Sequence, residues 1–155
     1  MDYTVQVKEL PTQLALQTTK TVTMATIGQG MGAAFEAIMS QAESGGARFA
    51  GPPFVFYPEE CVGEFPMTLC MPVTPGATEP RPGSGVQLLE VCGGPAACVL
   101  HKGPYDKLGD AYGVLQTWLK ANAKTPAGPP RETYLNEPDK VRPGELLTEI
   151  AFPIA

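Results

Sequence analysis

The sequence predicts an α+β fold made of duplicated β-α-β-β modules with pseudo-twofold symmetry, and three observations predict it. The order strand, strand, helix, strand, strand runs twice along the chain. The two runs also share letters in a common order: VQVKE from Val5 answers VQLLE from Val86, and Gly32, Phe35 and Ile38 answer Gly109, Tyr112 and Leu115. In the same order, GPP at Gly51 answers GPP at Gly128, and MTLCMPV answers TEIAFPI. Finally, 155 residues make one domain, so each half lacks a sufficient core and must bury a surface against its twin.

Each element follows from its own stretch. From Tyr3 to Glu9, YTVQVKE alternates apolar and polar residues, placing Tyr3, Val5 and Val7 on one face of a strand that Pro11 interrupts. Leu14 to Thr23 is β-branched and alternating, a second strand. Met31, Ala34, Phe35 and Ile38 recur at helical spacing, giving a helix near Ile27 to Glu43 that Gly45-Gly46 stops. PPFVFYP and FPMTLCMPV are two more strands, joined by a turn-prone connection from Glu59 to Glu64. The stretch TPGATEPRPGSG, Thr74 to Gly85, is too dense in Pro and Gly for helix or central strand. It reads as a linker between a first module of about residues 1–74 and a second of about 86–155.

Beyond the linker, VQLLEV and AACVLHKG are strands. A helix near Pro104 to Ala123 then sets Leu108, Ala111, Tyr112, Leu115 and Leu119 on one face, with Pro104 in the first turn, where its missing N–H matters least. PPRETYLN, the turn-rich EPDKVRPGE and a last strand LLTEIAFPI close the chain. Trp118 falls at the edge of the helix stripe; Phe35, Tyr112, Phe54 and Phe56 read as core, and His101 with Lys102 as an exposed strand end.

Composition removes several function classes. Lys and Arg number 11 against 16 Asp and Glu and are scattered, so no basic footprint for direct nucleic-acid binding exists. No apolar run approaches the roughly 20 residues of a membrane span, and the acidic start lacks the pattern of an export signal, so a cytoplasmic location is expected. Cys61, Cys70, Cys92 and Cys98 form no C-x-x-C, and His101 is the only histidine. Zinc patterns and a His-dependent triad are therefore absent, no metal or cofactor is expected, and the cysteines read as buried free thiols. GQGMG at Gly28 lacks the strand and the later acid of a dinucleotide loop.

Strand parity points to a pocket. In LLTEIAFPI, Leu146, Thr148, Ile150, Phe152 and Ile154 point one way, toward a helix, and Leu147, Glu149 and Ala151 the other. In PPRETYLN, Glu132 and Tyr134 share a face opposite Arg131, Thr133 and Leu135. The duplication matches Glu132 to Val55 and Glu149 to Thr68, so the second half holds two acids where the first has none. Acids edged by aromatic rings suit an organic cation, by charge and by cation–π attraction. Tyr105 follows HKGP at a strand-to-helix junction, and Tyr57, the counterpart of Tyr134, supplies an opposite wall. Solvated strand carboxylates are the plainer alternative.

The segments HKGPYDKLGDAYGVLQTWL, GPPRETYLNEP and ELLTEIAFPI resemble the GyrI-like small-molecule-binding domain, also known as the effector-binding domain of AraC-type regulators. They are similar, too, to the multidrug-binding domain of MerR-type transcription regulators. The resemblance spans nearly the whole chain and implies two β-α-β-β modules with a central ligand cleft. It further implies a cleft carboxylate for lipophilic cations, here Glu132 or Glu149, with Tyr105 and Tyr134 as aromatic partners. The chain shows no helix-turn-helix, so it reads as a stand-alone binder of amphipathic, aromatic or cationic ligands, acting in sensing or sequestration. Two alternatives follow from similar stand-alone relatives. One is a hydrolase of cyclopropane-containing genotoxic compounds, with Glu149 activating water and Tyr105 donating to the leaving oxygen. The other is a gyrase-inhibitor-like module that engages a protein partner and depends little on either glutamate.

Overall fold

The computed structural model describes residues 3–155; Met1 and Asp2, which open the acidic start, lie outside the described residues. In chain order the elements are β1 (Gln6–Leu10), β2 (Gln13–Val22), α1 (Ile27–Gly45), β3 (Phe54–Phe56), β4 (Phe65–Pro72), β5 (Val86–Val91), β6 (Gly94–Lys102), α2 (Leu108–Ala121), β7 (Arg131–Tyr134) and β8 (Leu147–Pro153). The fold is mixed α and β, and the pairings within each unit are antiparallel. The chain forms two compact units, Thr12–Cys92 and a second that joins the residues up to Pro11 to Gly93–Ala155.

Within Thr12–Cys92 the strand order is β3-β4-β2-β5. Helix α1 buries Ala34, Ile38, Gln41 and Ala42, while Met31 and Phe35 of the expected stripe are only partly covered. Gly46 ends the helix at φ 66, a left-handed conformation that favours glycine, and its N–H closes on the Ala42 carbonyl. Thr74 to Gly85 runs back along α1. The Thr78 hydroxyl donates to Gly45 O at 2.7 Å, and the Arg81 N–H donates to Gln41 Oε1 at 3.0 Å. The segment expected as a plain linker is thus a strap that supplies a donor to a helix-end carbonyl left open by the helix itself.

The second unit has the order β1-β6-β8-β7. Leu108, Ala111, Leu115 and Leu119 of α2 pack on Ala97, Val99, Ile150, Phe152 and Ile154, with Tyr112 and Trp118 at the margin. This is the face expected for α2 and for β8. The helix starts later than expected: Pro104 is extended (φ −65°, ψ 154°), Tyr105–Lys107 form a 3-10 turn, and α2 begins at Leu108.

The units do not coincide with the two sequence halves: one is the continuous stretch Thr12–Cys92, and the other joins both ends of the chain. β1 pairs with β6, and β5 pairs with β2, so the first strand of each sequence half joins strands from the other half. The chain segments leading into β2 and β6 pass closely here: a Cβ on Gly93 would collide with the carbonyls of Leu10 and Pro11. The registers of the two units correspond. Val55 faces Leu69 as Glu132 faces Ile150, and Gln17 faces Cys70 as Cys98 faces Ala151. Gln87 likewise faces Gln17 as Gln6 faces Cys98.

Candidate functional site

Short strand β7 carries RETY, and its register against β8 decides where each side chain goes. Glu132 lies opposite Ile150, which is fully buried under α2, so Glu132 belongs to the helix-covered face of its sheet. It is 8 % exposed. Two phenols hold it: the Tyr112 hydroxyl, from the first turns of α2, donates to Oε2 at 2.6 Å, and the Tyr134 hydroxyl donates to Oε1 at 2.9 Å. Tyr105, at the head of the 3-10 turn, sets its ring edge-on to Tyr134 with centroids 5.7 Å apart. At 38 % exposure it is the outermost ring of the group. The ring of Tyr112 is braced edge-on by Phe152 at 6.0 Å. Thr148 faces Tyr134 and His101 from the middle strand, and its buried hydroxyl makes no hydrogen bond.

Among the described residues no cation is paired with Glu132. Burial raises its pKa above the ordinary carboxylate value, and the two phenol hydrogen bonds only partly offset the rise. The Tyr105 phenol is also pushed up, first by burial and then by the Glu132 charge. A desolvated carboxylate compensated by neutral donors alone leaves a local negative potential that a cation would relieve.

Glu149 is differently placed. It lies opposite Leu100 and Thr133, on the other face of the same sheet, and Lys8 Nζ sits 2.6 Å from its Oε2. The Lys8 pKa is raised, chiefly by this hydrogen bond. Nearby Cys98 is buried, and its thiol is pushed up to about 11 by burial and then by Glu149. Parity along β8 separated Leu147, Glu149 and Ala151 from the helix-facing set correctly. Glu132, however, belongs with the helix-facing set, so the two acids do not share a site.

The other expected residues distribute plainly. Tyr105 and Tyr134 meet beside Glu132, whereas the hydrolytic pair Glu149 and Tyr105 is not brought together. Tyr57 belongs to the Thr12–Cys92 unit and is buried at 7 % exposure. His101 corrects an expectation: it is 2 % exposed rather than at an open strand end, because Tyr3 and the Pro104 carbonyl enclose its ring. The thiols divide, with Cys70 and Cys98 buried, Cys61 half-buried and Cys92 exposed, so the expectation of burial holds for two of the four. Tyr112 was readable only as core. Its signal was a phenol on an apolar stripe, since a buried hydroxyl needs a partner. No group of three or more His, Cys, Asp or Glu side chains among the described residues is placed to hold a metal, and none of their helices is long and apolar enough to cross a membrane.

The family model for the GyrI-like small molecule binding domain matches residues 3–155. No curated protein sequence matches the chain significantly. Among solved structures, the C-terminal domain of EcmrR is similar at 22 % identity and a TM-score of 0.87, covering 100 % of this chain and 99 % of that domain. EcmrR bound to DNA is similar at 23 % identity and a TM-score of 0.84; 98 % of this chain and 57 % of that longer chain are covered. SAV2435 bound to tetraphenylphosphonium is similar at 14 % identity and a TM-score of 0.62, over 100 % of this chain and 94 % of that one. Identities this low establish likeness of fold alone.

Proposed function

The chain belongs to the GyrI-like small-molecule-binding family, and we propose that it binds amphipathic aromatic cations at Glu132, with Tyr105 and Tyr134 as the ring contacts. The observation that carries this reading is the carboxylate itself: 8 % exposed, hydrogen-bonded by two phenols, and paired with no cation among the described residues. A carboxylate there contributes little to folding stability, whereas an incoming cation gains its full charge without competing with a lysine or arginine. The neighbouring fold of SAV2435, which holds tetraphenylphosphonium, lends support from outside the chain. Sensing or sequestration of such a cation is the role that fits a site without a second reactive group.

Hydrolysis has less support. Glu149, the acid that the sequence suggested for it, is tied to Lys8 and lies away from Tyr105. We also read the two units as copies of one β-α-β-β module, supported by the matching registers and by Val55 standing where Glu132 stands. The copies differ where the chemistry is: an aliphatic side chain in one, an acid in the other.

The test is a calorimetric titration with tetraphenylphosphonium and with neutral triphenylphosphine oxide. Glu132→Gln is expected to weaken the phosphonium by about 1–3 kcal/mol and to leave the neutral probe within error. Equal losses for both probes would remove the electrostatic role, and unchanged phosphonium binding would remove the site.

A further inference from the structure

The turn that presents Tyr105 has few supports of its own. Among the described residues the Tyr105 phenol makes no hydrogen bond, and its ring touches Tyr134 edge-on, so its position depends on the backbone beneath it. That backbone is the Gly103-Pro104 corner. Gly103 N–H donates to Leu146 O at 2.8 Å, and the Pro104 carbonyl accepts the Lys107 N–H at 3.1 Å, the bond that closes the 3-10 turn around Tyr105. The same carbonyl lies 3.1 Å from Nε2 of His101.

A carbonyl oxygen can only accept, so Nε2 of His101 carries a proton, and in the neutral ring Nδ1 accepts from the Tyr3 hydroxyl at 2.8 Å. Both ring nitrogens are thereby used. The His101 ring is 2 % exposed and lies nearly parallel to that of Tyr3, at 18° and 6.0 Å. A ring held at both nitrogens and sealed from water has one orientation available, and its donor is aimed at the residue immediately before Tyr105.

We infer that His101, oriented by Tyr3, is a positioning residue for the ligand-contacting ring of Tyr105: its Nε2–H, through the Pro104 carbonyl, holds the turn that sets where that ring stands. This rests on the reading of Tyr105 as a ring contact. It adds a three-residue chain, Tyr3–His101–Pro104, that touches no ligand and still sets affinity.

Two isosteric substitutions separate the donor from general packing. The amide nitrogen of Gln occupies nearly the place of Nε2, whereas the shorter Asn reaches only the place of Nδ1 and offers Pro104 no donor. With tetraphenylphosphonium and triphenylphosphine oxide as probes, His101→Asn is expected to weaken both by about three- to fivefold, no more than loss of the Tyr105 ring itself. His101→Gln should stay within about twofold. In a Tyr105→Ala background, His101→Asn should cause no further loss, because the ring it positions is gone. Amide exchange at Lys107 in the free protein should accelerate in the Asn variant and not in the Gln variant. Equal behaviour of Asn and Gln, additivity with Tyr105→Ala, or unchanged Lys107 exchange would each overturn the inference. A Tyr105→Ala variant that binds both probes as tightly as the parent would overturn the ring-contact reading beneath it, a failure seen in that single variant alone.

Discussion

Replacing Glu132 by Gln should raise stability at neutral pH while lowering cation affinity. The side chain is nearly sealed from water, and its pKa is raised because burial outweighs the hydrogen bonds from Tyr112 and Tyr134. An acid that holds its proton more tightly when folded gives a folded state with more bound protons than the unfolded chain, over the window from the ordinary carboxylate pKa to the raised one. Stability therefore falls as pH rises through that window and stays reduced above it. Gln keeps the shape and removes the titration. Converting two charged phenol bonds to neutral ones forfeits on the order of 1–3 kcal/mol, against several kcal/mol recovered from not desolvating a charge. The upward pKa fixes the sign of the balance, so we expect the variant to be more stable by about 1–2 kcal/mol near pH 8 and equal to the parent near pH 4. For a chain of this size that is a Tm increase of roughly 2–8 °C, readable by scanning calorimetry across the range. A variant less stable at every pH, or one whose advantage does not change with pH, would refute the reasoning.

Other perturbations address single links. Tyr105→Ala should weaken cationic and neutral aromatic probes alike by about 1 kcal/mol, since lost ring contact does not depend on ligand charge; fluorescence titration with both probes reads this. Ile150→Lys buries a charge at a fully covered position and should cost at least about 3 kcal/mol in urea unfolding, while Leu147→Lys, on the half-exposed opposite face, should cost under about 1 kcal/mol. Because Leu147 faces away from Glu132, its variant should also keep cation affinity, contrary to what parity along β8 alone would assign. Gly93→Ala forces a methyl onto the Leu10 and Pro11 carbonyls, and a loss of more than about 2 kcal/mol in chemical denaturation is expected.

The parts of this protein that were legible in its sequence are those set within one element. Alternation along β8 placed Thr148, Ile150, Phe152 and Ile154 toward the helix, and the stripe of α2 named Leu108, Ala111, Leu115 and Leu119, all of them buried. Parity also put Glu132 and Tyr134 together, and a phenol bound to the carboxylate is what the fold contains. What parity cannot supply is the match between faces of different strands. Glu132 and Glu149 were grouped by chemistry, yet pairing Glu132 with Ile150 and Glu149 with Thr133 sends them to opposite sides. The partner that satisfies Glu149 arrives from Lys8 on β1, a strand that reaches this sheet only through β6. Burial of His101 has the same origin, since Tyr3 lies far away in sequence. Tyr112 shows a different limit: its ring obeys the apolar periodicity of α2, and only its hydroxyl betrays a role.

The most direct test of Glu132 as the cation site is a crystal structure of the protein with tetraphenylphosphonium. The account expects the phosphonium centre nearest the Glu132 carboxylate, with phenyl rings against Tyr105 and Tyr134. A phosphonium seated beside Glu149 and Lys8, or anywhere remote from Glu132, would contradict it.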